Sequence, residues 1–168
     1  METRKSLTNL KTVAGIVLIV LVAAVAKYLQ RGDNRTQAVD RFSAIGTLQS
    51  IGGAAHIYKK VYENGFPAGL VALAANPGQA QDCDHAQLID NQLASSGVKG
   101  GFIFTYKPRL PLTPPARGCT VPGAPSYTLT ADPLDFGNPD VRHFFTDESG
   151  VIRFEFGKQA GAGSPEIE

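Results

Sequence analysis

The fold is decided by the stretch AVDRFSAIGTLQSIGGAAHIYKKVYENGFP, residues 38–67. Its apolar residues recur at every third or fourth position, which is the period of one helical face. These positions are Ala38, Phe42, Ile45, Leu48, Ile51, Ala55, Tyr58 and Tyr62. Asn64-Gly65 and Pro67 end the pattern, because glycine adopts left-handed backbone and proline cannot continue a helix. The stretch predicts a helix that begins near Arg35 and buries one face against a sheet.

The apolar period changes beyond Gly97 from that of a helix to that of a strand. A Pro-rich loop separates the first two predicted strands, and a tight turn joins the last two into a hairpin in which Gly150 is suited to positive φ. The four predicted strands are residues 102–106, 127–131, 142–146 and 151–155. A short helix over residues 86–95 precedes them. The expected fold class is α+β, a long N-terminal helix packed on a small antiparallel sheet.

The N-terminal part of the chain contains the uncharged apolar run VAGIVLIVLVAAVA, residues 13–26. At about 1.5 Å per residue, a helix over residues 7–29 is about 35 Å long and reaches across a hydrocarbon core of about 30 Å. The predicted membrane-spanning residues are Val13, Ile16, Leu18, Ile19, Leu21 and Val25. The small residues predicted to pack against partner helices are Ala14, Gly15, Ala23 and Ala24. A cleaved secretory signal, cut after Ala26, is the alternative interpretation.

Cys83 and Cys119 are the only two cysteines, and both lie in loop-like sequence. A disulfide between them closes a long loop and requires an oxidising compartment; two reduced thiols are the alternative. Lysine and arginine flank the apolar run on both sides, so charge does not fix its orientation. The cysteine pair therefore decides the expected location. We expect a single-pass inner-membrane protein with a cytoplasmic N-terminus and a periplasmic or extracellular C-terminal domain.

The composition limits the number of domains and the kinds of partner. The chain has 168 residues and a formal net charge of +1 from scattered charges, which argues against a nucleic-acid groove. About 125 residues follow the apolar segment and precede the tail, enough for one modest core. The predicted domains are a membrane anchor over residues 1–31, an extracytoplasmic α+β domain over residues 32–157 and a disordered tail over residues 158–168.

No catalytic, cofactor-binding or metal-binding residue is predicted, and the chain is not expected to be an enzyme. The run Asp82-Cys83-Asp84-His85 is interpreted as a disulfide flanked by solvated acids, because adjacent residues rarely converge on one metal. His56 and His143 are interpreted as hydrogen-bonded structural histidines. A calcium site is an open alternative, with Asp132, Asp135 and Asp140 as oxygen donors.

Three parts of the chain resemble the superfamily of type IV pilins and type II secretion pseudopilins. The first is the apolar N-terminal segment that continues into the domain. The second is residues 58–73, YKKVYENGFPAGLVAL, and the third is the hairpin sequence FFTDESGVIR, residues 144–153. The usual prepilin cleavage motif is missing, since Ser6 stands where the family has glycine and Lys11 where it has an acidic residue. Whether the N-terminus is processed, and whether the chain enters a filament, are left open.

The resemblance implies a pilin-like fold and a structural or interaction role in a cell-envelope filament or a secretion machinery. The implied partners are the membrane and other pilin-like subunits, or secretion or pilus components, in a homo- or hetero-oligomer. A membrane-tethered periplasmic ligand-binding module, or an enzyme of unknown substrate, is the alternative from another functional class. That alternative predicts an enclosed pocket with converging polar groups.

Overall fold

The computed structural model describes Leu21, Val22, Val25, Lys27 and residues 43–167. The chain divides into two compact units, Met1–Val39 and Asp40–Glu168. We describe each unit by itself.

Most of the predicted membrane segment lies outside the described residues. This holds for Val13, Ile16, Leu18 and Ile19, and also for Ala14, Gly15, Ala23 and Ala24. Leu21 and Val25 are described; both are helical and more than half exposed. No helix among the described residues combines the length and the apolar character needed to cross a membrane. This finding contradicts the predicted single-pass inner-membrane location.

The second unit is rich in β-structure, and the predicted fold class is wrong in its dominant element. The sequence predicts a long N-terminal helix, membrane-spanning in its first half, with a small sheet as its partner. The described part of the chain instead centres on a five-stranded antiparallel sheet, covered by a helix (α1) over residues 43–62. The sheet dominates because three of its strands are longer than the sequence predicts and a further short strand, residues 98–99, joins its edge.

The remaining elements are short. They are β1 (Phe66–Pro67), a 3₁₀ helix (Leu70–Leu73), α2 (Asn91–Ser96), β2 (Val98–Lys99), β3 (Phe102–Pro108), β4 (Gly123–Ala124), β5 (Tyr127–Pro133), β6 (Arg142–Asp147) and β7 (Arg153–Phe156). The main sheet has the strand order β2-β3-β5-β6-β7, and all its pairs are antiparallel. Strands β1 and β4 form a separate antiparallel pair. All four predicted strands are present, although β7 begins at Arg153, two residues later than predicted.

One face of α1 packs into the core. Leu48, Ile51, Ala55 and Tyr58 are fully buried, as the helical period predicts. They belong to the same apolar cluster as Phe104, Leu129, Ala131 and Phe144 of the central strands. Burial of each large apolar side chain contributes roughly 1.5–3 kcal/mol. The helix is therefore stabilised mainly by packing of its apolar face on the sheet, and only to a small extent by the helix propensity of its residues.

The helix predicted over residues 86–95 is shorter than expected. Residues 86–89 are not helical; their backbone N–H groups bond to the end of the 3₁₀ helix, for example from Leu88 N to Leu73 O at 2.8 Å. Helix α2 begins only after Asp90, whose carboxylate accepts a bond from Leu93 N at 2.7 Å. An aspartate in this position is a favoured N-cap, because it satisfies a free N–H of the first turn. Asp90 is therefore the N-cap of α2, and the helix begins at Asn91.

The predicted disordered tail over residues 158–168 is also wrong in its described part. We call residues 158–167 the C-terminal clasp. Backbone bonds run from Phe154 N to Pro165 O at 2.9 Å and from Ile167 N to Ile152 O at 3.0 Å, so the clasp covers the free edge of β7. Ala160 and Ser164 are buried. Small and polar residues fold here because strand β7 offers them backbone partners.

Candidate functional site

The predicted disulfide is confirmed and forms the centre of the candidate site. Cys83 and Cys119 are bonded across a sequence separation of 36 residues, with Cα atoms 5.5 Å apart. The bond joins the segment after the 3₁₀ helix to the Pro-rich loop before β4. We call the two joined segments, residues 83–85 and 119–121, the disulfide junction.

Asp84 braces the junction beside the covalent bond. Its carboxylate accepts bonds from the Thr120 hydroxyl, from Thr120 N at 3.1 Å and from Val121 N at 3.2 Å. The Thr120 hydroxyl bond is the largest cause that lowers the pKa of Asp84 below its ordinary value; burial opposes it, and the backbone N–H bonds from Thr120 and Val121 lower the pKa further. Asp84 remains accessible to solvent, and it also cross-links two loops through these hydrogen bonds.

Asn64 fastens the same loop to the end of α1. It is 2% exposed; its Nδ2 donates to Tyr58 Oη at 3.0 Å and to Val121 O at 3.1 Å. Its Oδ1 accepts from Ala116 N at 2.8 Å. Tyr58 in turn donates to Cys83 O at 2.8 Å, so the network reaches both sides of the disulfide. Buried polar groups in such a chain stabilise the loop because each of them has a partner.

The loop approaches Asn64 so closely that one position must be glycine. A Cβ atom added to Gly123 would lie 1.4 Å from Asn64 O, which no side chain tolerates. Gly123 N also donates to Thr113 O at 3.2 Å, and Thr113 N donates to Gly123 O at 2.8 Å. Backbone contact at this distance requires glycine because it has no Cβ atom. This contact fixes the distance between the loop and the C-terminal end of α1.

A surface groove of about 310 Å³ lies beside the junction. Its apolar part includes Ala72, which is buried, and Val71, which is 60% exposed. Its polar rim is formed by Asp84, His85 and Thr120. Because hydrogen bonds already hold Asp84 and Thr120, the rim is rigid. The groove has the composition of a non-covalent recognition site, an apolar anchor point inside a polar border.

A second polar cluster lies at the other end of the sheet. His143 is fully buried, and its Nδ1 is 2.7 Å from Oδ1 of Asp132. The other oxygen of Asp132 accepts from Thr130 Oγ1 at 3.2 Å and from Gln159 Nε2 at 3.1 Å. His143 is thus a hydrogen-bonded structural histidine, as predicted. His56 is hydrogen-bonded as well, with its Nε2 at 3.0 Å from Glu148 O.

The three aspartates of the calcium alternative do not come together. Asp132 is committed to the His143 cluster, whereas Asp135 and Asp140 are exposed in the following loop. Across the described residues, no group of three or more histidine, cysteine, aspartate or glutamate side chains is placed to hold a metal ion.

Sequence reasoning missed Asn64, Asp84 and Gly123. The sequence places Asn64 in the helix stop only; helix α1 ends at residue 62, Glu63 and Gly65 both take left-handed backbone (φ 51° and 73°), and the Asn64 side chain bonds to the loop. The position of Asp84 directly after Cys83 could have predicted that its side chain lies at the disulfide. No local signal identifies Gly123, since its role depends on an atom 59 positions away in the chain. Compared with protein-family models, with curated proteins and with solved structures, the chain matches none of them.

Proposed function

We propose that this chain is a non-enzymatic interaction protein of a cell-envelope filament or secretion assembly, and that the groove beside the disulfide junction binds a neighbouring subunit. The type of assembly rests on the sequence resemblance to pilins and pseudopilins. The observation that carries the proposal is Val71, an apolar side chain that is 60% exposed beside a rigid, disulfide-linked polar rim. A subunit that buries Val71 removes this apolar surface from water.

The rigidity of the groove supports binding rather than plain stability. The Cys83–Cys119 bond, the Asp84 carboxylate and Asn64 hold the two loops in place. A surface held in its bound conformation loses less entropy when a partner docks. The partner expected here presents an apolar side chain to Val71 and Ala72, and hydrogen-bonding groups to the rim around them.

The proposal is tested by photo-crosslinking in the native organism at native expression. A benzophenone side chain replaces Val71 in one variant and Leu134 in the control, since Leu134 is equally exposed at 59% but lies in the loop after β5. We expect Val71 to yield one adduct whose mass and peptides identify a filament or secretion subunit, or a second copy of this chain. Adducts of equal yield at both positions, or none at either, contradict the proposal.

A second variant pair measures the energy of the contact. Val71→Asp places a charge in the apolar part of the groove, and Leu134→Asp places the same charge elsewhere. We expect Val71→Asp to weaken subunit binding at least tenfold, because the interface would bury an unpaired carboxylate. Leu134→Asp should leave binding unchanged. Matching thermal melts of the two variants ensure that the loss arises at the groove.

A further inference from the structure

The C-terminal clasp is bound to strand β7 as an extended peptide binds to the edge of a sheet. Phe154 N donates to Pro165 O at 2.9 Å. Ile167 N donates to Ile152 O at 3.0 Å. Sheets accept an added strand through such main-chain bonds, which give affinity, while side chains give selectivity. The clasp therefore marks the edge of β7 as a binding site for an extended segment.

Charged side chains of β7 select the segment that binds there. Arg153 lies opposite Glu166 in an antiparallel bridge and donates to its carboxylate at 2.9 Å. Arg153 also donates to Ser164 O at 3.0 Å. Ser164 is buried, and its hydroxyl donates to Glu155 Oε1 at 3.1 Å. The strand thus presents one cation and one anion, and the clasp has a complementary group for each.

The clasp buries little apolar surface. Within residues 158–167, Ala160 is the one apolar side chain that is buried, and Ile167 is partly buried. Chain ends with few apolar contacts open locally at a fraction of the free energy of global unfolding. Opening of the clasp leaves the edge of β7 unpaired, so that the edge can accept another strand.

The connection between β7 and the paired part of the clasp contains Gly157, Gly161 and Gly163. Its turn is closed by two bonds, from Ser164 N to Gly161 O at 3.0 Å and from Gly161 N to Ser164 Oγ at 3.1 Å. This turn returns the clasp to its own strand. Because glycine also adopts extended backbone without steric cost, the same connection can carry the clasp to a neighbouring chain.

We propose that the edge of β7 is an interface between two copies of this chain, which exchange their C-terminal clasps. The clasp of each copy lies on β7 of the other and makes the same bonds there, because the second copy carries the identical segment. The exchange is reciprocal, so both edges are covered and the assembly stops at two copies. The interface uses none of the residues of the groove, and the proposal stands independently of the partner proposed there.

Concentration sets the balance between the monomer and the exchanged dimer, because the bonds at β7 are the same in both. The monomer is favoured by the effective concentration of a clasp held on a short connection, which is on the order of 1 mM. We therefore expect the native chain to be mostly monomeric well below this concentration and to exchange measurably near it.

The first test traps the exchanged clasp with a disulfide. One full-length copy carries Arg153→Cys, a ¹⁵N-labelled copy carries Glu166→Cys, and the two are mixed at about 1 mM and oxidised. Residues opposed in an antiparallel pair have Cα atoms about 4.5–5.5 Å apart, which suits a disulfide. We expect a mixed dimer whose linked peptides contain positions 153 and 166. In the control, Ala162→Cys, which is exposed in the same clasp, replaces Glu166→Cys and should give about fivefold less dimer. Equal yields would overturn the proposal.

The second test reverses the charges at the bridge. In a copy with Arg153→Glu, and in a copy with Glu166→Arg, the clasp and its own β7 carry like charges. The exchanged dimer of these two copies restores an ion pair at both of its edges. By native mass spectrometry, we expect the mixture to contain about 3- to 10-fold more dimer than either copy alone at the same concentration, because two exposed ion pairs are regained.

The double variant Arg153→Glu/Glu166→Arg is the matched control. It restores the ion pair within one chain, so it should form no more dimer than the native chain does. A mixture that contains no more dimer than its separate components, or no more than the double variant, would contradict clasp exchange.

Discussion

The disulfide junction and the C-terminal clasp both hold irregular chain against regular structure, but by different means. The junction has a covalent bond, reinforced by the buried Asn64 and by the Asp84 carboxylate. The clasp depends on two backbone bonds, on side-chain bonds from Gln159 to Asp132 and from Ser164 to Glu155, and on Arg153, which donates to Ser164 O and pairs with Glu166 at 2.9 Å. We therefore expect the junction to contribute more to the free energy of unfolding than the clasp, because only the junction contains a covalent bond.

Removal of the disulfide is expected to change the stability of the protein more than any other variant considered for the junction or the clasp. For a separation of 36 residues, loss of the cross-link in Cys83→Ser/Cys119→Ser should lower the free energy of unfolding by about 4 kcal/mol in the chain-entropy model. Urea unfolding measures the change, and the reduced native chain is the control that should match the variant. A difference below about 1 kcal/mol would mean that the junction is held without its covalent bond.

Asn64→Ala tests how much of the junction is held by hydrogen bonds. The variant leaves Ala116 N and Val121 O without their partner and should cost about 2–3 kcal/mol. Asn76→Ala is the matched control, because it removes one exposed side-chain bond to Gln79 Oε1 and keeps the backbone bond from Gln79 N; it should change stability by no more than about 0.5 kcal/mol. Equal stability losses in the two variants would show that the hydrogen bonds of Asn64 do not stabilise the junction.

Deletion of residues 158–168 measures the clasp directly. We expect a loss of about 1–2 kcal/mol, together with self-association, because the free edge of β7 becomes available for pairing with another chain. Light scattering coupled to size-exclusion chromatography detects the association. Glu166→Gln removes only the exposed ion pair and should cost at most about 1 kcal/mol without association. A truncated chain that remains monomeric would show that the clasp does not protect the edge.

The smallest expected effect is the pH dependence that Asp84 gives to the junction. Because bonds from Thr120 and Val121 lower its pKa in the folded state, the unfolded chain binds its proton first as the pH falls. The contribution of Asp84 is therefore complete above its ordinary value of 3.8 and is lost as the pH drops through the lower, folded value. Urea midpoints between pH 6 and 2.5 should show a shallower acid decline in Asp84→Asn than in the exposed control Asp135→Asn.

Local patterns predicted much of the second unit and little of the candidate site. The buried helical face from Leu48 to Tyr58 and the hairpin around Gly150 were predicted from the sequence, because each is formed by residues only a few positions apart. The dominance of the sheet was missed, and the location inferred from the apolar run is contradicted by the described residues. The clasp was missed because small and polar residues give no periodic signal, although strand β7 supplies them with partners.

The sequence by itself determined the buried face of α1, the strand positions and the cysteine pair, because periodicity and residue chemistry act locally along the chain. The tertiary structure alone decided which distant atoms meet. Asn64 bonds to a carbonyl 57 positions away, Gly123 lies against the Asn64 backbone, and the Tyr127 hydroxyl lies beside Gly52 of α1. These contacts depend on how the helix, the loop and the sheet pack together, and such long-range packing leaves no repeat in the sequence to be read.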